Sequence, residues 1–309
     1  MEYVIIGAGG TGGTVGAYMT KAGKDVTLIA RGKHLEAMKE HGLILERLWD
    51  DSQENIKIKA ASMEEYKGCP DVILVCVKGY SLEETIPFIK DIAGPETIVV
   101  PILNIYGTGG KMQEKLPGIL VTDGCIYVSA NIKKPGVILQ HGEILRIVFG
   151  TRKEEEYRPV LEEIARDFEG SGIRGILSKN IRRDALQKFS YVSPIGAAGL
   201  YFNAVAGDFQ KEGQPREMFK AMTREIVSLA EAMGIHFGND LVEVNLRILE
   251  TLVPETTTSM QRDVMAGKQS EMDGLIFEVV RLGRQYHVPV PEYEKVAEKF
   301  GFALDEESR

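Results

Sequence analysis

The 309-residue sequence predicts an α/β amino-terminal domain with a parallel sheet, followed by an all-helical carboxy-terminal domain. Three observations carry this. An apolar run, Tyr3-Val4-Ile5-Ile6, stops at a turn with glycines at Gly7, Gly9 and Gly12. Short continuous apolar runs recur through the first half, as strands buried on both faces do. Beyond Lys179 the apolar residues fall at helical spacing instead.

Taken in order, residues 3–6 read as a buried strand and residues 13–22 as a helix with Val15, Tyr18 and Met19 facing inward. Residues 26–30 read as a second strand, closing a βαβ unit of the length expected of a Rossmann-type nucleotide-binding domain. In that setting Gly7 permits the tight turn, Gly9 lets the backbone approach a pyrophosphate, and Gly12 lets helix and strand pack closely. Gly10 and Thr11 lie in the same turn as candidate cofactor contacts, and the unpaired N–H groups of the following helix's first turn meet the negative charge. Dinucleotide binding is the expectation, against the plainer alternative of a glycine-rich connector. The second strand runs into Ala30-Arg31-Gly32-Lys33. An acid at this strand end would bind ribose hydroxyls and select NAD, whereas Arg31, with Lys33 behind it, suits the extra phosphate of NADP.

Residues 56–59 alternate like a half-exposed strand, and residues 71–77 form a continuous apolar run fit for the sheet centre. A helix over 81–92 leads to a strand at 97–100, with further strands expected at 119–121, 125–129, 144–149 and, briefly, 173–177. The remainder is helical. Met218, Phe219, Met222, Ile226, Leu229 and Met233 make one apolar stripe, and Met272, Leu275, Ile276, Val279 and Val280 another. Gly238-Asn239-Asp240 reads as a turn and helix start, and Pro254, Pro289 and Pro291 punctuate the segments. The predicted division is residues 1–178 for an NADP-binding domain and 179–309 for an all-helical domain.

Hydrophobic residues make up 44% and charged residues 27%, the balance of a globular protein. A net charge of -8 offers no general attraction for nucleic acid or anionic lipid. No apolar stretch is long enough to span a membrane, and the first strand starts too early to leave room for a signal segment, so a cytoplasmic location is expected. Cys69, Cys76 and Cys125 lack the spacing of a metal cluster, and no metal is expected; Cys76 reads as core.

A bound nicotinamide makes hydride transfer the leading chemistry, and a carbonyl gaining negative charge on oxygen needs a proton donor. Parallel sheets bind ligands outside the carboxyl ends of their strands, which places Lys78 and Asn104 near that opening. Either residue alone reads equally well as a loop cation or a turn former. Lys188, near the start of the helical half, is the second candidate lysine.

Together these residues resemble the ketopantoate reductases (2-dehydropantoate 2-reductases) over essentially the whole chain. The markers are Ile6-Gly7-Ala8-Gly9-Gly10 through Gly16, Thr27 to Gly32, Val77-Lys78, the Asn104 loop and Lys188-Phe189. A late stretch, Thr258-Ser259-Met260-Gln261-Arg262-Asp263-Val264 leading to Ser270-Glu271-Met272-Asp273-Gly274, completes them. The resemblance implies NADPH as cofactor, reduction of a 2-oxo acid to a D-2-hydroxy acid, a place in pantothenate biosynthesis and a homodimer. It implies Lys188 as general acid, Glu271 as the group orienting the substrate, Ser259 as the carboxylate ligand, and Asn104 and Lys78 as residues lining both nicotinamide and substrate. Ser259 also reads as a cap or turn residue, and Glu271 as a first-turn acid behind a Ser270 cap.

The chain departs from the family pattern where asparagines follow the lysine by one and two helical turns and recur later. Val192, Gly196 and Ala206 stand there, Leu186 replaces a tryptophan before the lysine, and Ile105 replaces a glycine after the loop asparagine. Alkyl groups in a site that reads a hydroxyl favour a more apolar 2-oxo acid, branched or aromatic. Ser193, Tyr201 and Asn203 are the expected replacements. A protein that binds NADPH as a redox signal without catalysis is the alternative from another class.

Overall fold

The protein is described from a computed structural model covering residues 1–303. Its contacts divide the chain into two units, one made of Met1–Leu103 with Gly107–Arg182, the other of Asn104–Tyr106 with the residues from Arg183 onward. The three-residue exchange at 104–106 is not visible in composition or pattern.

The first unit runs β1 (Glu2–Ile6), α1 (Gly10–Lys21), β2 (Asp25–Ile29), α2 (Gly32–His41), β3 (Leu43–Arg47), β4 (Ser52–Ile56), β5 (Lys59–Ala61), β6 (Val72–Val75) and α3 (Leu82–Ile92). It continues with β7 (Ile98–Pro101), α4 (Thr108–Lys115), β8 (Leu120–Val121), β9 (Asp123–Tyr127), β10 (Ala130–Lys134), β11 (Val137–Gln140), β12 (Arg146–Gly150), α5 (Val160–Gly170) and β13 (Arg174–Leu177). Six strands form one sheet in the order β5-β2-β1-β6-β7-β8, every pair parallel.

The apolar runs are continuous because both faces of this sheet are covered. Tyr3 and Ile5 of β1, with Val72 and Leu74 of β6, pack into one core cluster, while Val4 and Ile6, with Ile73 and Val75, pack into another. All eight are fully buried, and each contributes about 1.5–3 kcal/mol relative to exposure. The chain leaves β1 toward β2 on one side, while β6 pairs on the other. This is the point where strand order reverses, and parallel sheets bind ligands there.

Helix α1 begins at Gly10 rather than residue 13, because Gly9 takes the N-cap position and the glycines that follow already form the first turn. The alternation at 56–59 spans two strands: Ile56 ends β4, Lys59 starts β5, and buried Ile58 lies in the break between them. A four-stranded sheet, β10-β11-β3-β4, escapes the sequence reading. Its β4 is Ser-Gln-Glu-Asn-Ile and its β10 carries Lys133 and Lys134, so their solvent-facing polarity hides them. Cys76, half-buried just beyond β6, packs against the first core cluster.

The second unit contains α6 (Ile181–Phe202, whose first two residues belong to the first unit), α7 (Ala206–Phe209), α8 (Gln214–Ala232), α9 (Leu241–Glu250) and α10 (Ser259–Met265). A π-helical turn (Asp273–Phe277) follows, then α11 (Glu278–Tyr286) and α12 (Pro291–Lys299). Met218, Phe219, Met222, Ile226 and Leu229 are buried in its core with Leu275, Ile276, Val279 and Val280, while Met233 and Met272 sit at its edge. Asp240 caps α9, its Oδ1 accepting from Val242 N at 2.8 Å. No strand occurs in this unit among the described residues, and no helix there or elsewhere among them is long and apolar enough to cross a membrane.

Candidate active site

In the first unit the loops after β1 and β6 meet. Gly7 sits at φ 98°, and a Cβ there would press on Cys76 O at 2.9 Å and Val77 Cγ1 at 3.0 Å. At Gly12 a Cβ would collide with the carbonyl oxygen of Gly7 and approach Cys76 Cβ at 3.0 Å. Gly9 differs: a Cβ there would meet nothing within 4 Å. Open space thus faces the N-cap of α1, where no side chain satisfies the first-turn N–H groups. A backbone cradle with unpaired donors and room beside it fits a dinucleotide pyrophosphate.

His34, from the first turn of α2, braces this cradle. Its Nδ1 accepts from Gly136 N at 3.0 Å, so its Nε2 carries the proton and donates to Ala8 O at 2.9 Å. Burial holds its pKa below the ordinary value. Nothing in the sequence signals this role. Arg31 is the N-cap of α2 just beyond β2; it is 83% exposed and touches Glu84 only loosely, at 3.6 Å. Lys33, two residues on, is exposed. Lys78 is half-buried at the start of the 3-10 turn that follows β6.

In the second unit, Lys188 on α6 is 9% exposed, and its Nζ donates to Asn104 Oδ1 at 2.7 Å. These two expected site residues, separated by 84 positions in sequence, are directly bonded. Phe189 and Tyr106 pack beside them, their ring centroids 6.2 Å apart. Glu271 is 4% exposed and its carbonyl accepts from Leu275 N, at the entry to the π turn. A Cβ on Gly274 would enter Ile105, so the π turn packs against the Asn104 segment. Ser259 is the first residue of α10; the cap is Thr258, whose hydroxyl accepts from Gln261 N at 3.2 Å. Ser270 caps no helix.

Ser193 is committed elsewhere. Its hydroxyl donates to Leu275 O at 2.5 Å and lies 2.6 Å from Tyr293 OH, both inside the core. Asn203 is exposed with φ 53°, and the Tyr201 ring lies 4.3 Å from Lys299 Nζ. Beside Gly196 a Cβ would lie 2.7 Å from Met260 Cε, so a methionine methyl holds that space. Val192 is half-buried and Ala206 is buried at the start of α7.

Residues 3–154 match the model of the family described as ketopantoate reductase PanE/ApbA, and residues 180–302 match that of its C-terminal domain. The chain belongs to the ketopantoate reductase family. The 2-dehydropantoate 2-reductase of Pyrococcus horikoshii is 27% identical over 94% of this chain and 93% of its own length. That of Aquifex aeolicus is 26% identical over 95% and 94%. Among solved structures, a PanE/ApbA family ketopantoate reductase from Ralstonia eutropha superposes with a TM-score of 0.86 at 25% identity, covering 97% of each chain. A D-mandelate dehydrogenase, solved with NADH and anilino(oxo)acetate, shares the fold at a TM-score of 0.87 and 20% identity, over 96% of each chain. As a ketopantoate reductase family member, the protein is an oxidoreductase of the 2-dehydropantoate 2-reductase type, which uses a nicotinamide cofactor on a 2-oxo acid.

Proposed function

We propose that the protein reduces a 2-oxo acid of the 2-dehydropantoate kind to its D-2-hydroxy acid with NADPH. The observation that carries this is the buried Lys188 ammonium held on Asn104 Oδ1 at 2.7 Å. When bound, the reduced nicotinamide supplies a hydride to the C2 carbonyl carbon. Negative charge then builds on the carbonyl oxygen. Lys188 meets it with an N–H bond and passes it a proton, and the neutral amine recovers one from water. Asn104 fixes the ammonium by accepting one of its hydrogens at 2.7 Å. Ser259 binds the substrate carboxylate and Glu271 orients the adjacent group, while Gly7, Gly9, Gly10, Thr11 and Gly12 cradle the pyrophosphate. Lys78, just past the carboxyl end of β6, lines both nicotinamide and substrate in this reading.

NADPH is favoured over NADH by Arg31, whose exposed guanidinium at the end of β2 has the planar fork that a phosphate accepts. Val192, half-buried one helical turn beyond Lys188 on α6, favours a second reading of the substrate, a branched or aromatic 2-oxo acid. A carbonyl screen followed by loss of reduced nicotinamide absorbance, with ketopantoate and ketoisocaproate side by side, separates the two. Lys188→Ala should cut turnover by about 10²–10⁴-fold while NADPH still binds. Turnover near wild type in that variant overturns the proton-donor role.

A further inference from the structure

Helix α6 carries Lys188 and, six residues later, Pro194. Proline has no N–H, so the carbonyl four residues back, that of Ser190, loses its helical donor. Ser190 is fully buried, and that carbonyl has no recourse to water. It is satisfied from another helix. Asn245 of α9, 1% exposed, donates its Nδ2 to Ser190 O at 2.8 Å and reaches Ser190 Oγ at 3.2 Å. Ser190 Oγ donates in turn to Gln187 O at 2.7 Å. A chain of hydrogen bonds therefore runs from Asn245 along the turn in which Lys188 sits. Ser193, immediately before the proline, is fastened to Leu275 O and Tyr293 OH, which anchors the proline end of the turn that begins at Lys188.

We propose that Asn245 is a positioning residue for Lys188, replacing from outside the helix the N–H that Pro194 cannot supply. The inference rests on the proposed role of Lys188 as proton donor. Two substitutions test it because they are chemically reciprocal. Asn245→Leu removes the external donor at similar volume, and Pro194→Ala restores an internal one to the same carbonyl.

With NADPH and the best 2-oxo acid from the screen, N245L should lose roughly tenfold to a hundredfold in kcat, the scale of a misplaced reacting group. NADPH affinity should hold, and the alkaline limb of the pH profile, which reports Lys188, should move. P194A alone should stay close to wild type, and the N245L/P194A double variant should regain both turnover and the original limb. Simple destabilisation would lower the melting temperature without moving that limb. Wild-type kcat and pH limb in N245L, or a double variant no better than N245L, overturns the proposal. Should N245L be insoluble, the double variant must be soluble and active, and its failure is equally fatal. K188A separates the two ideas: an active K188A removes the proton-donor reading and this inference with it. An inactive K188A without coupling between Asn245 and Pro194 removes only the inference.

Discussion

Gly9 and Gly12 lie three residues apart in one motif, yet alanine should act on them through opposite channels. At Gly9 the backbone has φ -70° and ψ -166°, a region open to any residue, and a Cβ would meet nothing within 4 Å. Folding stability should therefore change by less than about 1 kcal/mol, a glycine cap lost against a stiffer unfolded chain. The methyl would project into the space that a pyrophosphate needs. Losing one hydrogen bond to a charged group costs about 1.5–3 kcal/mol, which weakens NADPH binding roughly ten- to a hundredfold. At Gly12 the methyl would strike the Gly7 carbonyl while pressing Cys76 Cβ at 3.0 Å and Ile5 Cγ2 at 3.1 Å. Backbone on one side and core on the other leave no slack, so destabilisation of about 3 kcal/mol is expected, the upper end of overpacking. Urea unfolding without cofactor and a fluorescence titration with NADPH measure the two effects separately. Wild-type affinity in Gly9→Ala, or wild-type stability in Gly12→Ala, would refute the assignment of roles.

Two further perturbations follow from the first unit. His34 is half-buried as the neutral imidazole with its pKa lowered, so the unfolded chain binds the proton first as pH falls below about 6.5. Stability should drop as pH falls from that value toward the folded pKa, because protonated Nδ1 would face the Gly136 N–H. Urea midpoints at pH 7 and pH 5 should show a smaller difference in His34→Gln than in wild type, and an unchanged difference would exclude His34 as the cause. Asp123 is 7% exposed and accepts from the backbone N–H groups of Gly109 and Gly110, with Arg152 Nη1 at 3.7 Å. It serves α4 as the cap that Gly107 lacks. Asp123→Ala strands two buried donors and a guanidinium, and should cost about 3 kcal/mol of unfolding free energy, with Asp123→Asn recovering part of it.

The parallel sheet was legible because burial on both faces writes itself as unbroken Val, Ile and Leu, as in residues 72–75. The helical stripes were legible because Met218, Met222 and Leu229 repeat at the period of a buried face. The sheet containing β4 and β10 was not, since a strand with one wet face and five residues leaves too short a pattern. Asn104 stands out by its strand-end position and Lys188 by family resemblance, but their bond is tertiary and no spacing predicts it. Ser193 shows the converse: a hydroxyl near a predicted site reads as a ligand until its core partners, Leu275 O and Tyr293, are seen. Asn245 carries no signal in the sequence, because the want it meets arises from a proline on a different helix.

The excursion of Asn104–Tyr106 out of the β7–α4 connection limits how this chain can be cut. A carboxy-terminal fragment beginning at Arg183 would leave behind the amide oxygen that its own lysine grips. The helical half is therefore no interchangeable cassette: a recombination event or an engineered split must carry a three-residue stretch from far upstream, or accept an ammonium robbed of its tether.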